Sequence, residues 1–103
     1  MTMDCSKGAP KDDAGKPQLS MIPYEALVQT ARVFEFGSRK YKRDSWRQGI
    51  EERRLIDAAL RHLHKLADGT YEDEESGLPH AAHVITNMCM ILEFRKKGNI
   101  CEN

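Results

Sequence analysis

Apolar residues recur at helical spacing in the first third of the chain. They stand at i, i+3, i+4, i+7 and i+10, the repeat of one face of an amphipathic helix. The residues of this stripe are Tyr24, Leu27, Val28, Ala31 and Phe34. Proline is favoured at a first helical position and glycine just past the last one. We therefore predict a helix that begins near Pro23 and ends at Gly37.

Two further helices are predicted by the same repeat. The second runs from Glu51 to Asp68 before Gly69, and its apolar residues fall within an arc of about 140°. They are Leu55, Ile56, Ala59, Leu60, Leu63, Leu66 and Ala67. The third begins at Pro79, runs to about Lys97 and is stopped by Gly98. Most of its circumference is apolar, which is typical of a central helix or of a helix in a subunit interface.

These patterns predict an all-α fold, a compact bundle of three main helices with short helical turns, one of them near residues 38–41. We expect an extended arm over residues 1–18, a helical domain over 19–97 and a tail over 98–103. Three helices rarely bury one of their number on nearly all sides. The chain is therefore expected to form a homo-oligomer.

The net charge of the chain bears on which classes of partner it binds. The 103 residues carry 16 Lys and Arg against 16 Asp and Glu, so the formal net charge is zero. This balance disfavours a nucleic-acid polymer or an anionic membrane as partner, and an anion site must come from local clustering. The three cysteines are far apart in sequence and suggest a reducing, cytoplasmic location.

The third predicted helix carries a polar strip. His80, His83 and Asn87 stand at i, i+3 and i+7 and share one face. A buried polar group without a partner costs about 1–3 kcal/mol, so these side chains need partners. Two interpretations remain open: hydrogen bonding to neighbouring loops, or a polar wall of a ligand pocket.

The second predicted helix has a basic flank. Arg61 and Lys65, one turn apart, could hold a phosphate together, and His62 faces inward enough to meet a ligand. The alternative is a solvated basic face.

The two connecting loops have opposite charge. Residues 38–49 place Lys40 among further cations and interleave Tyr41 and Trp46, which suits phosphate binding with base stacking. The alternative is that the two aromatic rings anchor the loop on the core. Residues 70–78 contain Asp73 and Glu75, candidate catalytic or Mg²⁺-binding carboxylates. A solvated acidic loop, or one that pairs with the basic loop, is the preferred interpretation.

A transition-metal site is a weaker alternative. His62, His80, His83 and one acid offer suitable ligands. Such a site requires the second and third helices to converge within a few ångströms, which the sequence does not establish.

The residues named above resemble a phage and bacterial family. Its most specific stretch here is Glu75-Ser76-Gly77-Leu78-Pro79-His80, followed by Ala82 and His83. Further matching positions are Asp13, Lys16, Pro17, Ile22, Pro23, Ala26, Leu27, Phe36, Gly37, Lys40, Tyr41, Trp46, Ala59, Leu60, Arg61, His62, Gly69, Asp73 and Asn87. The chain resembles the N-terminal domain of dATP/dGTP diphosphohydrolases, grouped loosely with the all-α MazG-like nucleotide pyrophosphohydrolases. The resemblance implies a helical domain that works on or with nucleoside phosphates.

Two functions follow from the resemblance and the charges. MazG-like enzymes hold Mg²⁺ with two acidic pairs on facing helices, and both pairs are not evident here. We therefore expect first a phage-type protein that captures a phosphate-containing nucleotide without a cofactor, as a sponge that sequesters a host immune signal. The alternative is a Mg²⁺-dependent pyrophosphohydrolase that converts a (d)NTP to dNMP and pyrophosphate.

Overall fold

The computed structural model describes residues 9–98 and shows an α-helical bundle. Its helices are α1 (Tyr24–Lys40), α2 (Glu52–Ala67) and α3 (His80–Lys97). Short 3₁₀ turns lie at Leu19–Met21 and Ser45–Gln48. The described residues contain no β-sheet, and an isolated antiparallel bridge joins Glu72 and Pro79. The predicted all-α class and the three main helices are confirmed.

Helix α3 is the centre of the bundle. It packs against both α1 and α2, and the turn at Ser45–Gln48 also contacts it. Phe94 near its C-terminal end is completely buried, with 0% of its surface exposed. Within residues 9–98 the buried apolar side chains are Val33, Leu55, Ala59, Ala82 and Phe94. The predicted central position of this helix within the chain is confirmed.

The predicted C-terminal ends agree with the structure for α2 and α3 and disagree for α1. Helices α2 and α3 end beside Gly69 and Gly98, whose φ angles of 96° and 73° are left-handed and favour glycine. The predicted stop at Gly37 is wrong, because α1 continues to Lys40 and the Tyr41 amide donates to the Gly37 carbonyl. The turn expected near residues 38–41 is the last turn of α1, and the separate turn follows at Ser45–Gln48.

The buried face of α1 is rotated from the predicted stripe. Thr30 and Val33 are its buried residues, whereas Tyr24 and Leu27 of the stripe are exposed. Helical spacing identifies an amphipathic helix but leaves the contacting face to tertiary packing.

The parts of the chain outside the bundle are only partly described. Residues 9–18 of the predicted arm are exposed, and residues 1–8 and 99–103 lie outside the described residues, as do Cys5 and Cys101. Cys89 on α3 is half-buried, and burial raises the pKa of its thiol. None of the described helices combines the length and apolarity needed to cross a membrane.

Candidate functional site at the junction of α2, α3 and their connecting loop

The loop between α2 and α3 is closed on itself by backbone hydrogen bonds. The Asp73 amide donates to the Leu78 carbonyl and the His80 amide to the Tyr71 carbonyl, both at 2.8 Å. Gly77 lies within this closure with a φ of 73°, which favours glycine. The closed loop holds Asp73 close to the first turn of α3, which contains His80 and His83.

Three imidazoles meet where this loop joins α3 and α3 packs against α2. The Nδ1 atoms of His62 and His80 lie 2.8 Å apart. The rings of His62 and His83 are stacked, with centroids 4.3 Å apart and an angle of 8° between their planes. His80 and His83 are 5% and 9% exposed. Helices α2 and α3 therefore converge at these side chains.

Asp73 joins the imidazoles through Ser76. The Ser76 amide donates to Asp73 Oδ2 at 2.9 Å, and the Ser76 hydroxyl lies 2.8 Å from His83 Nε2. Asp73 Oδ2 is itself 3.9 Å from His83 Nε2. Ser76 thus fixes the carboxylate and one imidazole relative to each other.

The cluster favours neutral imidazoles beside an ionised carboxylate. Desolvation lowers the pKa of His62 and of His83, because both rings lose water that would solvate the charged form. Burial alone would raise the pKa of Asp73. Hydrogen bonds from Ser76, with electrostatic contributions from His83 and His62, outweigh burial, and the net pKa of Asp73 is lowered. Asp73 is accordingly an ionised carboxylate, surrounded by ring nitrogens that can accept or donate one proton.

A groove of about 950 Å³ opens beside the cluster. It runs from the end of α1 past the 3₁₀ turn to the exposed sides of α2 and α3. The sequence-predicted residues that line it are Lys40, Tyr41, Trp46, Arg61, His62, Asp73, Glu75, His83 and Asn87. His80 contacts His62 without lining the groove, and Lys65 is exposed outside it. The structure therefore places most of the predicted residues along one groove, whereas Lys65, one turn from Arg61 on α2, does not line it.

The polar strip of α3 is hydrogen-bonded and also borders the groove. Asn87 Nδ2 donates to the His83 carbonyl at 2.8 Å, and His80 and His83 bond to His62 and Ser76. His83 and Asn87 are therefore hydrogen-bonded within the chain and also line the groove.

The two aromatic residues of the first loop differ. Trp46 packs between Phe34 and Phe94, with ring centroids 5.5 and 5.6 Å away, and the Arg47 guanidinium lies 4.5 Å from its ring. Trp46 thus anchors the loop on the core, as its alternative interpretation states. Tyr41 is exposed, which leaves its ring open to a base.

The acidic loop meets the basic loop at the edge of the groove. Lys40 Nζ lies 2.9 Å from Glu75 Oε2 in an exposed ion pair. Its hydrogen bond and the Glu75 charge raise the pKa of Lys40. The preferred interpretation of the acidic loop, pairing with the basic loop, is observed for Glu75.

Sequence reasoning missed Ser76 as a site residue. Its amide and hydroxyl contact Asp73 and His83, and its hydroxyl also accepts from the Leu78 amide at 3.1 Å. Two sequence signals pointed to Ser76: its place in the family-specific stretch, and its place in the turn before Gly77 and Pro79, where serine is common for local reasons.

Comparison with known proteins now decides the family. The family model described as "dATP/dGTP diphosphohydrolase, N-terminal" matches residues 6–103. The chain belongs to this family. A relative from Salmonella phage PMBT28, named dATP/dGTP diphosphohydrolase, is 41% identical over 81 residues. The alignment covers 79% of this chain, which spans 28% of the relative's length. No solved structure is significantly similar to the chain.

Family membership bears on the two functions expected from the sequence. The resemblance to this diphosphohydrolase domain is confirmed, and it supports the hydrolase alternative at the level of the family. It gives no support to sequestration of an immune signal. That function was expected first because the two acidic pairs of MazG-like enzymes are not both evident in this sequence.

Proposed function

We propose that this chain binds a purine deoxynucleoside triphosphate in the groove and takes part in its hydrolysis to dNMP and pyrophosphate. The observation that carries the proposal is the meeting of Asp73 with His62, His80 and His83 at a groove bordered by cations. The relative's name, dATP/dGTP diphosphohydrolase, supports a purine substrate. We expect the reaction in the cytoplasm, that of the host if a phage encodes the chain.

The groove supplies the charge that a triphosphate requires. Lys40 and Arg61 both line it, on α1 and α2, and Arg can bind phosphate through two parallel hydrogen bonds. Tyr41 is exposed beside Lys40, where its ring can stack on the base. Phosphates then lie between the cations and the histidine cluster.

The cluster supplies a general base that can take a proton from the attacking water. A carboxylate or a neutral imidazole can take a proton from water while the water oxygen attacks the α-phosphorus. The bond from that phosphorus to the bridging oxygen then breaks, and pyrophosphate leaves. Asp73, held by Ser76 and kept ionised, is our candidate for this base.

Mg²⁺ enters this proposal with the triphosphate. It prefers carboxylate oxygens and phosphates, for which Asp73 and Glu75 are the candidate residues. Glu75 is engaged with Lys40, so joint binding by both carboxylates requires that ion pair to open.

Incubation with dATP or dGTP and Mg²⁺, followed by anion-exchange chromatography, tests the proposal. We expect dNMP and pyrophosphate in equal amounts, with purine nucleotides preferred over pyrimidine ones. Release of inorganic phosphate instead of pyrophosphate, or no turnover with any dNTP, would contradict it.

Capture without cleavage is the second candidate. One observation favours it: Asp73 is the carboxylate that joins the imidazole cluster, whereas Glu75 is tied to Lys40. Hydrolysis assisted by a metal commonly uses several converging carboxylates. Intact nucleotide recovered after heat denaturation of a saturated complex would support capture, and chromatography of the same sample reports both outcomes.

Arg61→Ala is expected to weaken dATP binding by about 10- to 100-fold. This is the effect of losing a charge-assisted hydrogen bond of about 1.5–3 kcal/mol. Isothermal titration calorimetry without a divalent ion measures it. Lys65→Ala, one turn further along α2 and outside the groove, is expected to bind as the parent does. Equal losses in both variants would support the Arg61–Lys65 phosphate site predicted from sequence, and no loss in Arg61→Ala would contradict the groove.

We also propose that the chain self-associates through exposed apolar stripes. Ile56, Leu60 and Leu63 lie at i, i+4 and i+7 on α2, and all three are exposed, Leu60 by 57%. A helical face of this kind is usually covered by a partner. Light scattering at micromolar concentration is expected to give a mass above 11.8 kDa. Leu60→Glu is expected to reduce that mass with its helical circular dichroism retained, and a parent protein of monomer mass would contradict the proposal.

A further inference from the structure

The strongest cluster of metal-ligating atoms in residues 9–98 lies at the junction of α2, α3 and their loop. One ligand atom each from His62, Asp73 and His80 can be chosen so that all three lie within 4.8 Å of one another. We propose that these three side chains bind a divalent transition-metal ion of the class that accepts mixed nitrogen and oxygen ligands, such as Zn²⁺, Mn²⁺ or Co²⁺. The proposal concerns the ion alone and does not depend on nucleotide hydrolysis.

The two imidazole ligands require little movement. Zinc–nitrogen bonds of about 2.0–2.1 Å place two tetrahedral ligands roughly 3.3 Å apart. The Nδ1 atoms of His62 and His80 are 2.8 Å apart, so they need to separate by roughly half an ångström. A small rotation of the less buried His62 ring supplies this, because His62 lies at the groove wall.

A second set of contacts holds the ligands in place. The Ser76 amide fixes Asp73, and His83 stacks on His62 from the other side. The His80 amide donates to the Tyr71 carbonyl, which holds the start of α3 against the loop. Partners of this kind orient the ligands of metal sites and raise their affinity.

The ligand types decide which ion is accepted. Two imidazoles and one carboxylate suit zinc, manganese or cobalt, whereas Mg²⁺ prefers an all-oxygen shell. Three protein ligands leave a coordination position open, and His62 and Asp73 both border the groove from which an exogenous oxygen would arrive.

The test is calorimetric titration of tag-free, chelator-treated full-length protein with Zn²⁺, Mn²⁺ or Mg²⁺ and no nucleotide. We expect one tightly bound Zn²⁺ or Mn²⁺ per chain, and Mg²⁺ affinity lower by at least about 100-fold. His62→Gln and Asp73→Asn are each expected to lose at least about 100-fold in Zn²⁺ affinity, more than loss of a supporting contact costs.

His64→Gln is the matched control. His64 lies on the same helix, is exposed and contacts Asp68 at 3.5 Å, away from the cluster. It is expected to leave Zn²⁺ affinity unchanged. Circular dichroism checks each fold, and Co²⁺ added to the parent protein is expected to give the visible absorption of a nitrogen-ligated ion. Absence of Zn²⁺ and Mn²⁺ binding, equal affinity for Mg²⁺, or equal Zn²⁺ affinity in parent, His62→Gln and Asp73→Asn would overturn the proposal.

Discussion

Phe94→Ala is expected to lower the free energy of unfolding by about 3–5 kcal/mol, the cost of replacing a buried phenylalanine by alanine. Phe94 is the fully buried ring on the central helix, and it contacts Trp46, which in turn contacts Phe34. The substitution removes the α3 end of this row of three rings, through which α3 contacts the 3₁₀ turn and α1. Urea denaturation followed by circular dichroism measures the change.

Leu92→Ala provides the control for this prediction. Leu92 lies on the same helix and is 72% exposed, so its loss is expected to change stability by no more than about 0.5 kcal/mol. If Phe94→Ala lowers the free energy of unfolding by less than about 1 kcal/mol, the substitution leaves no cavity in the core. That result would contradict the buried position of Phe94 described above. Because Trp46 also lines the groove, Phe94→Ala is expected to weaken dATP binding as well.

Asp73→Asn is expected to reduce dNTP turnover by at least about 100-fold. General-base catalysis contributes about 10²–10⁴-fold, and an amide cannot accept the proton. The amide is close in size to the carboxylate and can still accept the hydrogen bond from the Ser76 amide. Nucleotide affinity is expected to change much less than kcat, because removing a negative charge beside the phosphates does not weaken their attraction to Lys40 and Arg61.

Glu74→Gln is the matched control for the base. Glu74 is the next residue of the same loop, and it is exposed and does not line the groove. It is expected to retain the kcat of the parent. Equal activity of Asp73→Asn and the parent would remove Asp73 from the reaction, and an equal loss in Glu74→Gln would point to the loop's charge in general.

The helices could be predicted because their signals are local. Apolar spacing, Pro79 at the start of α3, and Gly69 and Gly98 at the ends place α2 and α3 within a residue or two of their observed bounds. Gly37 misled the prediction for α1, because a glycine stops a helix only where the backbone adopts the left-handed conformation. At Gly37 the helical hydrogen bonds continue to Tyr41.

The candidate site was predictable in its residue types and less so in its contacts. His80 and His83 were placed on one face of a helix by spacing alone, and their burial follows from the apolar residues around them. Their partners, His62 and Ser76, belong to another helix and to a loop. The exposed position of Lys65 and the burial of Trp46 between two phenylalanines also depend on how the helices pack.

The all-α class, the bounds of α2 and α3 and the supply of cations, imidazoles and acids near the loops follow from local sequence. Helical periodicity and end signals act over a few residues, so one chain segment contains them in full. The convergence of α2 and α3 at His62, His80 and Asp73, and the pairing of Lys40 with Glu75, follow from the packing of the helices. These contacts join residues far apart in sequence, and their distances depend on which apolar faces are buried against each other.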